Sequence, residues 1–303
     1  MGNGISFTAM VKTIALSFLL IGAFAHHTDA AESPLKPYVL SSHVKGDMVK
    51  TVIELKEALA AGGFELVGEY SPDADRYVVV VTNDFLKQLA AEELGGLFTA
   101  TQSVAITRVG GKLQVAYTNP LYQQFAYRVS RRLDSVQTQL KHILGEQELF
   151  GSTGLTGTAL ANYRYALGME EFDDFLHLGK FSSHAKALAA VERGLSTQRG
   201  GVRPVFRLDI PGEAISLFGI SLSAGEGSDL AIISAVDNRP LRHTPRLPYT
   251  LVVRGGEVFT LHPRFKLPLD FPDLERTGRY SFTAMIKAPG AMVEALRQLI
   301  GEQ

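Results

Sequence analysis

The chain contains no cysteine and no tryptophan among its 303 residues. Without cysteine the protein has no disulfide, no thiol nucleophile, no thiolate metal site and no lipid anchor attached through sulfur. Its stability must therefore come from packed cores. With 303 residues, of which 46% are hydrophobic, the chain is long enough for about two domains with cores of their own.

An excess of charge of one sign is also lacking. The chain has 30 lysines and arginines against 31 acids, a net charge of −1. A near-neutral chain gives no support for broad binding to nucleic acid or to membrane surfaces. We therefore expect no nucleic-acid partner.

The apolar run near the N-terminus, Thr13 to Ala25, has thirteen residues, fewer than the roughly twenty that cross a bilayer. Lys12 precedes the run, and small-residue cleavage sites end at Ala25 and Ala30, which is the pattern of a secretory signal peptide. Residues 1–30 are therefore predicted to be a signal peptide, with Met10 as an alternative start and an uncleaved anchor as the competing interpretation. The mature protein is expected in the periplasm or the medium, without stable membrane insertion.

Common enzyme signatures are missing. The sequence has no Gly-x-Ser-x-Gly, no His-Glu-x-x-His and no phosphate loop ending in Gly-Lys-Ser/Thr. The glycine-rich run Gly151–Gly157 has no lysine, and only His26 and His27 of the eight histidines form a close pair. These absences favour a binding protein over an enzyme. No cofactor is identified, and a haem or metal held by one of the other histidines remains an alternative.

Two stretches of the sequence resemble each other. The pair Gly110-Gly111 lies between strand-like runs, and Gly255-Gly256 repeats this arrangement at an offset of 145 residues. Both are typical of hairpin turns. The helix-like ending Leu140–Gln147 recurs as Leu296–Gln303 at an offset of 156. Repeats this long indicate duplicated domains and not a solenoid.

Both stretches predict the same order of elements. The first predicts a helix over 49–60 that stops at Gly62-Gly63, strands over 64–70 and 77–82, a helix from Asn83 or Asp84, and the hairpin. The second predicts a helix over 185–195 that stops at Gly200-Gly201, strands over 205–210 and 215–222, a helix over 229–236, and the hairpin.

With a leading strand expected before each first helix, this order predicts an α+β fold of two similar compact α/β domains. Helices would pack on mostly antiparallel sheets, and the two domains would derive from an internal duplication. The predicted bounds are 31–147 for the first domain, 148–168 for a linker and 169–303 for the second domain.

A family resemblance rests on the glycine-terminated first helix, the strand pair, the Asn83-Asp84 helix start and the hairpin that runs into Val115–Pro120. These features resemble the "domain of unknown function 302" family, in two copies that cover most of residues 38–303. The resemblance implies a compact α/β unit and brings no established activity, so no catalytic residue is transferred. The second copy has Leu261–Arg264 where the ungapped alignment places Ala116–Asn119, so the two copies need not share a site.

Bases are concentrated in the second copy. From Arg239 to Lys266 there are six lysines and arginines and two histidines against one acid, Glu257. If the last strand continues, alternation places His262, Arg264 and Lys266 on one face. A guanidinium and an imidazole on one face bind a carboxylate or a phosphate.

We therefore predict a site for a small, anionic ligand that is formed by His262, Arg264, Arg246, Tyr249 and Asp270. The competing interpretation is a solvated outer face, balanced by acids such as Asp270 and Asp273. The predicted function is an exported, non-catalytic binding protein for a small ligand or a partner. An enzyme with an acid–base set of His262, Arg264 and Asp270 is the alternative, as is a haem or metal protein with its site in the second copy.

Four aromatic residues of the first copy precede three arginines, in the order Tyr117, Tyr122, Phe125, Tyr127, Arg128, Arg131 and Arg132. Stacking beside positive charge would suit a ring-bearing ligand or a single strand. Core packing, with the tyrosine hydroxyls at the wet end, is the interpretation we favour.

Overall fold

The computed structural model describes residues 33–301. The predicted signal peptide, with His26 and His27, lies outside the described residues. We name residues 33–150 the first half, 151–175 the connecting segment and 176–301 the second half.

The elements of the first half are β1 (Tyr38–Val44), α1 (Met48–Ala61), β2 (Glu65–Asp73), β3 (Arg76–Thr82), α2 (Asp84–Glu92), α3 (Gly96–Thr99), β4 (Gln102–Val109), β5 (Lys112–Thr118), α4 (Pro120–Ala126), α5 (Asp134–Leu144) and β6 (Glu148–Phe150). The connecting segment contains α6 (Gly157–Ala161). The elements of the second half are β7 (Leu176–Lys180), α7 (His184–Ser196), β8 (Val202–Asp209), β9 (Ile215–Leu222), α8 (Asp229–Val236), β10 (Tyr249–Arg254), β11 (Glu257–Thr260), α9 (Pro263–Asp270) and α10 (Ala288–Ile300). Short 3₁₀ turns lie at Arg199–Gly201, Thr244–Arg246 and Phe282–Met285.

Each half forms one sheet. The strand order is β2-β3-β4-β5-β1-β6 in the first sheet and β8-β9-β10-β11-β7 in the second, and the paired strands are antiparallel. The α+β fold class is therefore confirmed. Apart from β6, the strands of the two sheets correspond one to one. An internal duplication would produce this correspondence, and the duplication itself stays a prediction.

The helix ends follow from local sequence signals. Asn83 caps α2 by accepting a hydrogen bond from the Leu86 amide at 3.0 Å, and the Ser228 side chain caps α8. The two repeated endings are helices that stop at Gly145 and Gly301, with φ of 81° and 91°. Glycine reaches this left-handed region without steric cost, which explains why the same ending recurs.

The two Gly-Gly turns use glycine for different reasons. Gly110 and Gly111 have φ of 55° and 76°, as a type I′ hairpin requires, and Gly255 has φ of 55°. Gly256 has no positive φ; a Cβ there would overlap the carbonyl oxygen of Phe181. At Gly256, close approach of the main chain and not a positive φ therefore demands glycine.

The centre of the second sheet, at β10, is buried on both faces. Leu251 and Val253 of β10 pack with α7 and α10, whereas Val252 between them joins a core that contains residues of the first half. This two-sided burial accounts for the uninterrupted apolar run of β10.

Side-chain hydrogen bonds also join the halves. The Gln114 amide donates to the Arg242 carbonyl and accepts from the Arg242 amide, both at 2.8 Å. Thr107 donates to the hydroxyl of Thr244 at 2.7 Å in a buried contact. The described residues form one compact unit, and the division into domains at 31–147 and 169–303 stays a prediction.

Candidate functional site

The segment after β11 is a helix, α9, and not the continuation of a strand. Pro263 occupies its first turn, where a missing amide costs nothing, and the His262 ring accepts a hydrogen bond from the Arg264 amide at 3.1 Å through Nδ1. The expectation that His262, Arg264 and Lys266 share one face of a strand is therefore wrong. Asn119 and Pro120 begin α4 in the same way, so His262 corresponds to Asn119 and not to Tyr117 of the ungapped alignment.

The residues that α9 and its N-cap contribute to the predicted site lie in two different places. Lys266 and Asp270 lie one turn apart and form an ion pair, and Asp270 lines a cavity with Arg246 and Tyr249. His262 and Arg264 contact Glu170 of the connecting segment instead. Arg264 and Asp270 are six residues apart, roughly 9 Å along a helix axis at 1.5 Å per residue. This separation disfavours an acid–base set of His262, Arg264 and Asp270.

The cavity lies between the two halves and has a volume of about 50 Å³. From the first half it is lined by residues that include Tyr38, Tyr122 and Tyr127, and from the second half by residues that include Arg246, Lys266 and Asp270. At roughly 10–15 Å³ for each water, this space accepts three or four waters or one small organic ion.

The ion pair of Lys266 and Asp270 borders this cavity and is not completely buried. Their side chains remain 14% and 9% exposed. Burial lowers the pKa of the Lys266 ammonium and raises the pKa of the Asp270 carboxyl, because a low-dielectric surrounding disfavours both charged forms. Transfer of a proton from Lys266 to Asp270 is therefore easier than in an ion pair on the surface.

Arg246 is the second cation of the cavity and is 6% exposed. Its Nη2 donates to the main-chain oxygen of Asp229 at 3.4 Å, and its guanidinium lies 5.8 Å from the centre of the Phe271 ring. Its Nε is buried and has no hydrogen-bond partner among residues 33–301. A buried donor of a charged group without a partner is costly, so Arg246 has unused capacity to bind an anion.

The charge around the cavity can be followed group by group. Its lining carries two cations, Arg246 and Lys266, and one anion, Asp270. Behind Arg246 lies Asp229, whose pKa burial raises to about 6; the Tyr70 hydroxyl donates to this carboxylate at 3.3 Å. Asp237, also buried with a raised pKa, accepts from the amide of His243. The lining therefore has one positive charge in excess, and the nearby carboxyl groups of Asp229 and Asp237 partly offset it.

Three tyrosines hold the end of α9. Tyr38, Tyr122 and Tyr163 donate to the carbonyls of Asp270, Leu269 and Pro268, at 3.1, 2.9 and 3.0 Å. The last carbonyls of a helix lack partners within it, so these hydroxyls satisfy the end of α9 from the first half and the connecting segment. Burial raises the pKa of all three tyrosines, which stay protonated donors.

Three of the four aromatic residues predicted to pack in the core do so, and Phe125 is only partly buried against it. Tyr117, Tyr122 and Tyr127 are each at most 3% exposed. Tyr117 donates to the Gly145 carbonyl, whereas Tyr122 and Tyr127 line the cavity. The Tyr249 hydroxyl donates to the carbonyl of Leu261, so Tyr249 contributes a wall of the cavity and not a free hydroxyl.

His262 and Arg264 flank an open groove of about 440 Å³ whose lining includes Glu170, Asp174 and His262. Nε2 of His262 lies 3.6 Å from Glu170, and Nε of Arg264 lies 3.2 Å from Oε2 of Glu170 without forming a hydrogen bond. Burial is the main cause that lowers the pKa of His262. Both bases therefore already lie within ion-pair distance of an acid, whereas the Arg246 guanidinium has no carboxylate that close among the described residues.

Sequence reasoning missed Tyr38, Tyr122 and Lys266 as members of the site. The spacing of Lys266 and Asp270, four residues apart, was the signal that could have identified a helical pair. In the part of the chain that the structure covers, no three histidine or acidic side chains are grouped to hold a metal ion.

Comparisons of the chain with protein-family models, with curated proteins and with solved structures found no match. The resemblance to the domain of unknown function 302 family therefore stays a prediction.

Proposed function

We propose that this protein binds a small anion, without catalysing its conversion, in the cavity between the halves. The observation that carries the proposal is the buried guanidinium of Arg246, whose Nε has no partner within the described range and which lines the cavity. A carboxylate in the cavity beside this guanidinium would neutralise its charge and offset its desolvation cost.

The lining supports a monoanion rather than a dianion. Its excess of one positive charge over Asp270 is neutralised by one negative charge, and a second would meet Asp229 and Asp237 behind Arg246. The volume of about 50 Å³ suits ions of the size of formate or acetate. The ligand thus belongs to the small carboxylates.

Export is part of the proposal. The signal-like N-terminus supports export to the periplasm or the medium. The absence of cysteine is compatible with an oxidising compartment, since the chain has no thiol that could be oxidised there. Across residues 33–301, no helix combines the length and the apolar character needed to span a bilayer.

The test is thermal unfolding with formate, acetate, nitrate, chloride or sulfate at a fixed ionic strength. A ligand at about 100 times its Kd adds ~2.7 kcal/mol, which raises the Tm of a protein of this size by several degrees. We expect a carboxylate to produce this rise and Arg246→Gln to abolish it. Arg264→Ala is the matched control, because its guanidinium contacts Glu170 outside the cavity. An equal response to every salt, or a response lost in Arg264→Ala and kept in Arg246→Gln, contradicts the proposal.

A further inference from the structure

We propose that the small carboxylate is a 2-oxo acid of two or three carbons, which Lys266 binds covalently as an imine while Arg246 binds its carboxylate. This inference rests on the proposed function, since it requires that the cavity accept an anion. To the proposed function it adds Lys266 as a reactive group, a covalent bond to the ligand and the 2-oxo acids as the class of ligand.

The first support is the position of the lysine. Lys266 lines the cavity together with Arg246 and Asp270, and its side chain keeps 14% exposure. Its ammonium makes one ion pair, with Asp270, although it has three protons to donate. Lys266 therefore borders a space of the size of a small molecule, and its amine lies beside a carboxylate that can take its proton.

The second support is the electrostatic environment. Burial lowers the pKa of Lys266, and the charge of Arg246 lowers it further, while Asp270 opposes this shift. Lysines become nucleophilic when desolvation or a neighbouring cation favours the neutral amine. Burial raises the pKa of Asp270, so that its carboxyl is suited to hold the proton that Lys266 releases.

The third support is the match between the cavity and the ligand. A 2-oxo acid carries its carboxylate on the carbon next to the carbonyl, so it needs a cation close to the amine. Arg246 supplies this cation, with a buried Nε that finds no hydrogen-bond acceptor in the described structure. Glyoxylate, with five heavy atoms, suits the volume of about 50 Å³, whereas oxo acids of more than three carbons exceed it.

The reaction balances without any further reagent. The Lys266 ammonium gives one proton to Asp270, and the free amine attacks the carbonyl carbon to form a C–N bond. The carbonyl oxygen takes one proton from the nitrogen and becomes a hydroxyl. Asp270 then returns its proton to this hydroxyl, which leaves as water while the C=N bond forms. The products are a protonated imine, one water and the Asp270 carboxylate, which again faces a cation.

The experiment is reductive trapping on the intact protein at neutral pH. The protein is incubated with glyoxylate and sodium cyanoborohydride, and the adduct is located by peptide mass spectrometry. We expect one carboxymethyl group on Lys266, formed at least severalfold faster than on an exposed lysine, because burial lowers the pKa of Lys266 and leaves more of its amine neutral. Lys287, whose side chain is 74% exposed, is the internal reference. Labelling spread over surface lysines, with Lys266 unmodified, overturns the proposal.

Substitutions distinguish the role of Lys266 as the reacting amine from that of Arg246 as the carboxylate partner. Lys266→Met should lose the single fast adduct, and Lys287→Met should keep it. Arg246→Gln should slow trapping by glyoxylate about tenfold more than trapping by acetaldehyde. Acetaldehyde has no carboxylate, so it is affected only through the loss of the Arg246 charge that lowers the pKa of Lys266. Equal slowing of both reagents would exclude Arg246 as the carboxylate partner. If Lys266→Met does not fold, the peptide map of the unaltered chain decides alone.

The outcome also distinguishes this inference from the proposed function. Acetate and glycolate carry a carboxylate but no aldehyde or ketone. If they raise the Tm while glyoxylate leaves Lys266 unlabelled, the anion site stands and the imine is refuted. If neither stabilisation nor labelling occurs, both are refuted.

Discussion

The hydroxyl of Tyr38 donates a hydrogen bond to the main-chain oxygen of Asp270, which lies 3.1 Å away and 232 residues further along the chain. This bond joins the first strand of the first half to the last residue of α9. Tyr122 and Tyr163 donate to the two preceding carbonyls. The position of Asp270 in the cavity therefore depends on residues remote from it in sequence.

Removal of these hydroxyls should destabilise the protein in small, separate steps. Tyr38→Phe and Tyr122→Phe each remove the side-chain donor of a buried carbonyl, which costs about 1 kcal/mol. Tyr163→Phe should cost less, because the Pro268 carbonyl also accepts from the Phe271 amide at 3.2 Å. Urea unfolding measures the loss. Tyr280→Phe, at a side chain that is 41% exposed, should change nothing, and equal stability of all four variants would contradict the assignment.

Lys266 and Asp270 should be strongly coupled. Lys266→Met leaves a buried carboxylate without its cation and is expected to cost about 3–5 kcal/mol. Adding Asp270→Leu should recover a large part of this loss, because an apolar pair of similar volume needs no desolvation. The free energies of unfolding of the two single variants and the double variant test this, and strictly additive losses would show that the ion pair is not coupled.

Acid should destabilise the protein through His243. This ring is 4% exposed and stacks on Phe271, and burial lowers its pKa to about 3. The unfolded chain binds a proton on this histidine below about pH 6.5 and the folded protein does not, so stability is full above that pH and falls towards pH 3. The loss reaches up to about 5 kcal/mol, since each pKa unit corresponds to roughly 1.4 kcal/mol.

His243→Phe keeps an aromatic ring at this position and removes its titration. Compared with the original protein, the variant should gain stability as the pH falls from 7 to 4, measured by urea unfolding at each pH. The opposing effect of Asp229, whose raised pKa favours the folded state at low pH, is common to both proteins and cancels. His142→Gln, at an exposed position, should leave the pH profile unchanged, and a parallel profile for His243→Phe would refute the assignment.

The two types of turn glycine should respond differently to alanine. Gly110 has nothing within 4 Å of an added Cβ but a φ of 55°, so Gly110→Ala should cost about 1 kcal/mol through backbone strain alone. At Gly256 a Cβ overlaps the carbonyl of Phe181, so Gly256→Ala must displace β7 or the hairpin and should lower the Tm more. Gly110→Asn should be tolerated better than Gly110→Ala, because asparagine adopts the left-handed region more readily. Equal Tm values for the two alanine variants would contradict this distinction.

Much of the fold could be predicted because its signals are local. Asn83, Ser228 and Gly145 mark helix ends through bonds to residues within one turn, and the pairs that begin at Gly110 and Gly255 mark hairpins through their own backbone angles. The strand over 215–222 agrees with β9 residue by residue. Such signals need no knowledge of the rest of the chain.

The site could be predicted only in part because long-range packing creates it. Arg246, Tyr249 and Asp270 were identified from the concentration of charge, but their cavity needs Tyr38 and Tyr122 from the other half. His262 and Arg264 were grouped with them by the two-residue period of a strand. Pro263 at the first turn of α9 replaces this period with that of a helix, which separates the five residues into two places.

The close approach of β2 and β8 affects how readily the protein aggregates at high concentration. Both are outermost strands of their sheets, and a Cβ on Gly68 of β2 would lie 2.7 Å from the main-chain oxygen of Val205 in β8. Uncovered outer strands offer unpaired main-chain groups to other molecules and promote aggregation. Each half here covers the outermost strand of the other half. A larger residue at position 68 would separate β2 from β8 and leave both outermost strands uncovered, so that neighbouring molecules could pair with them.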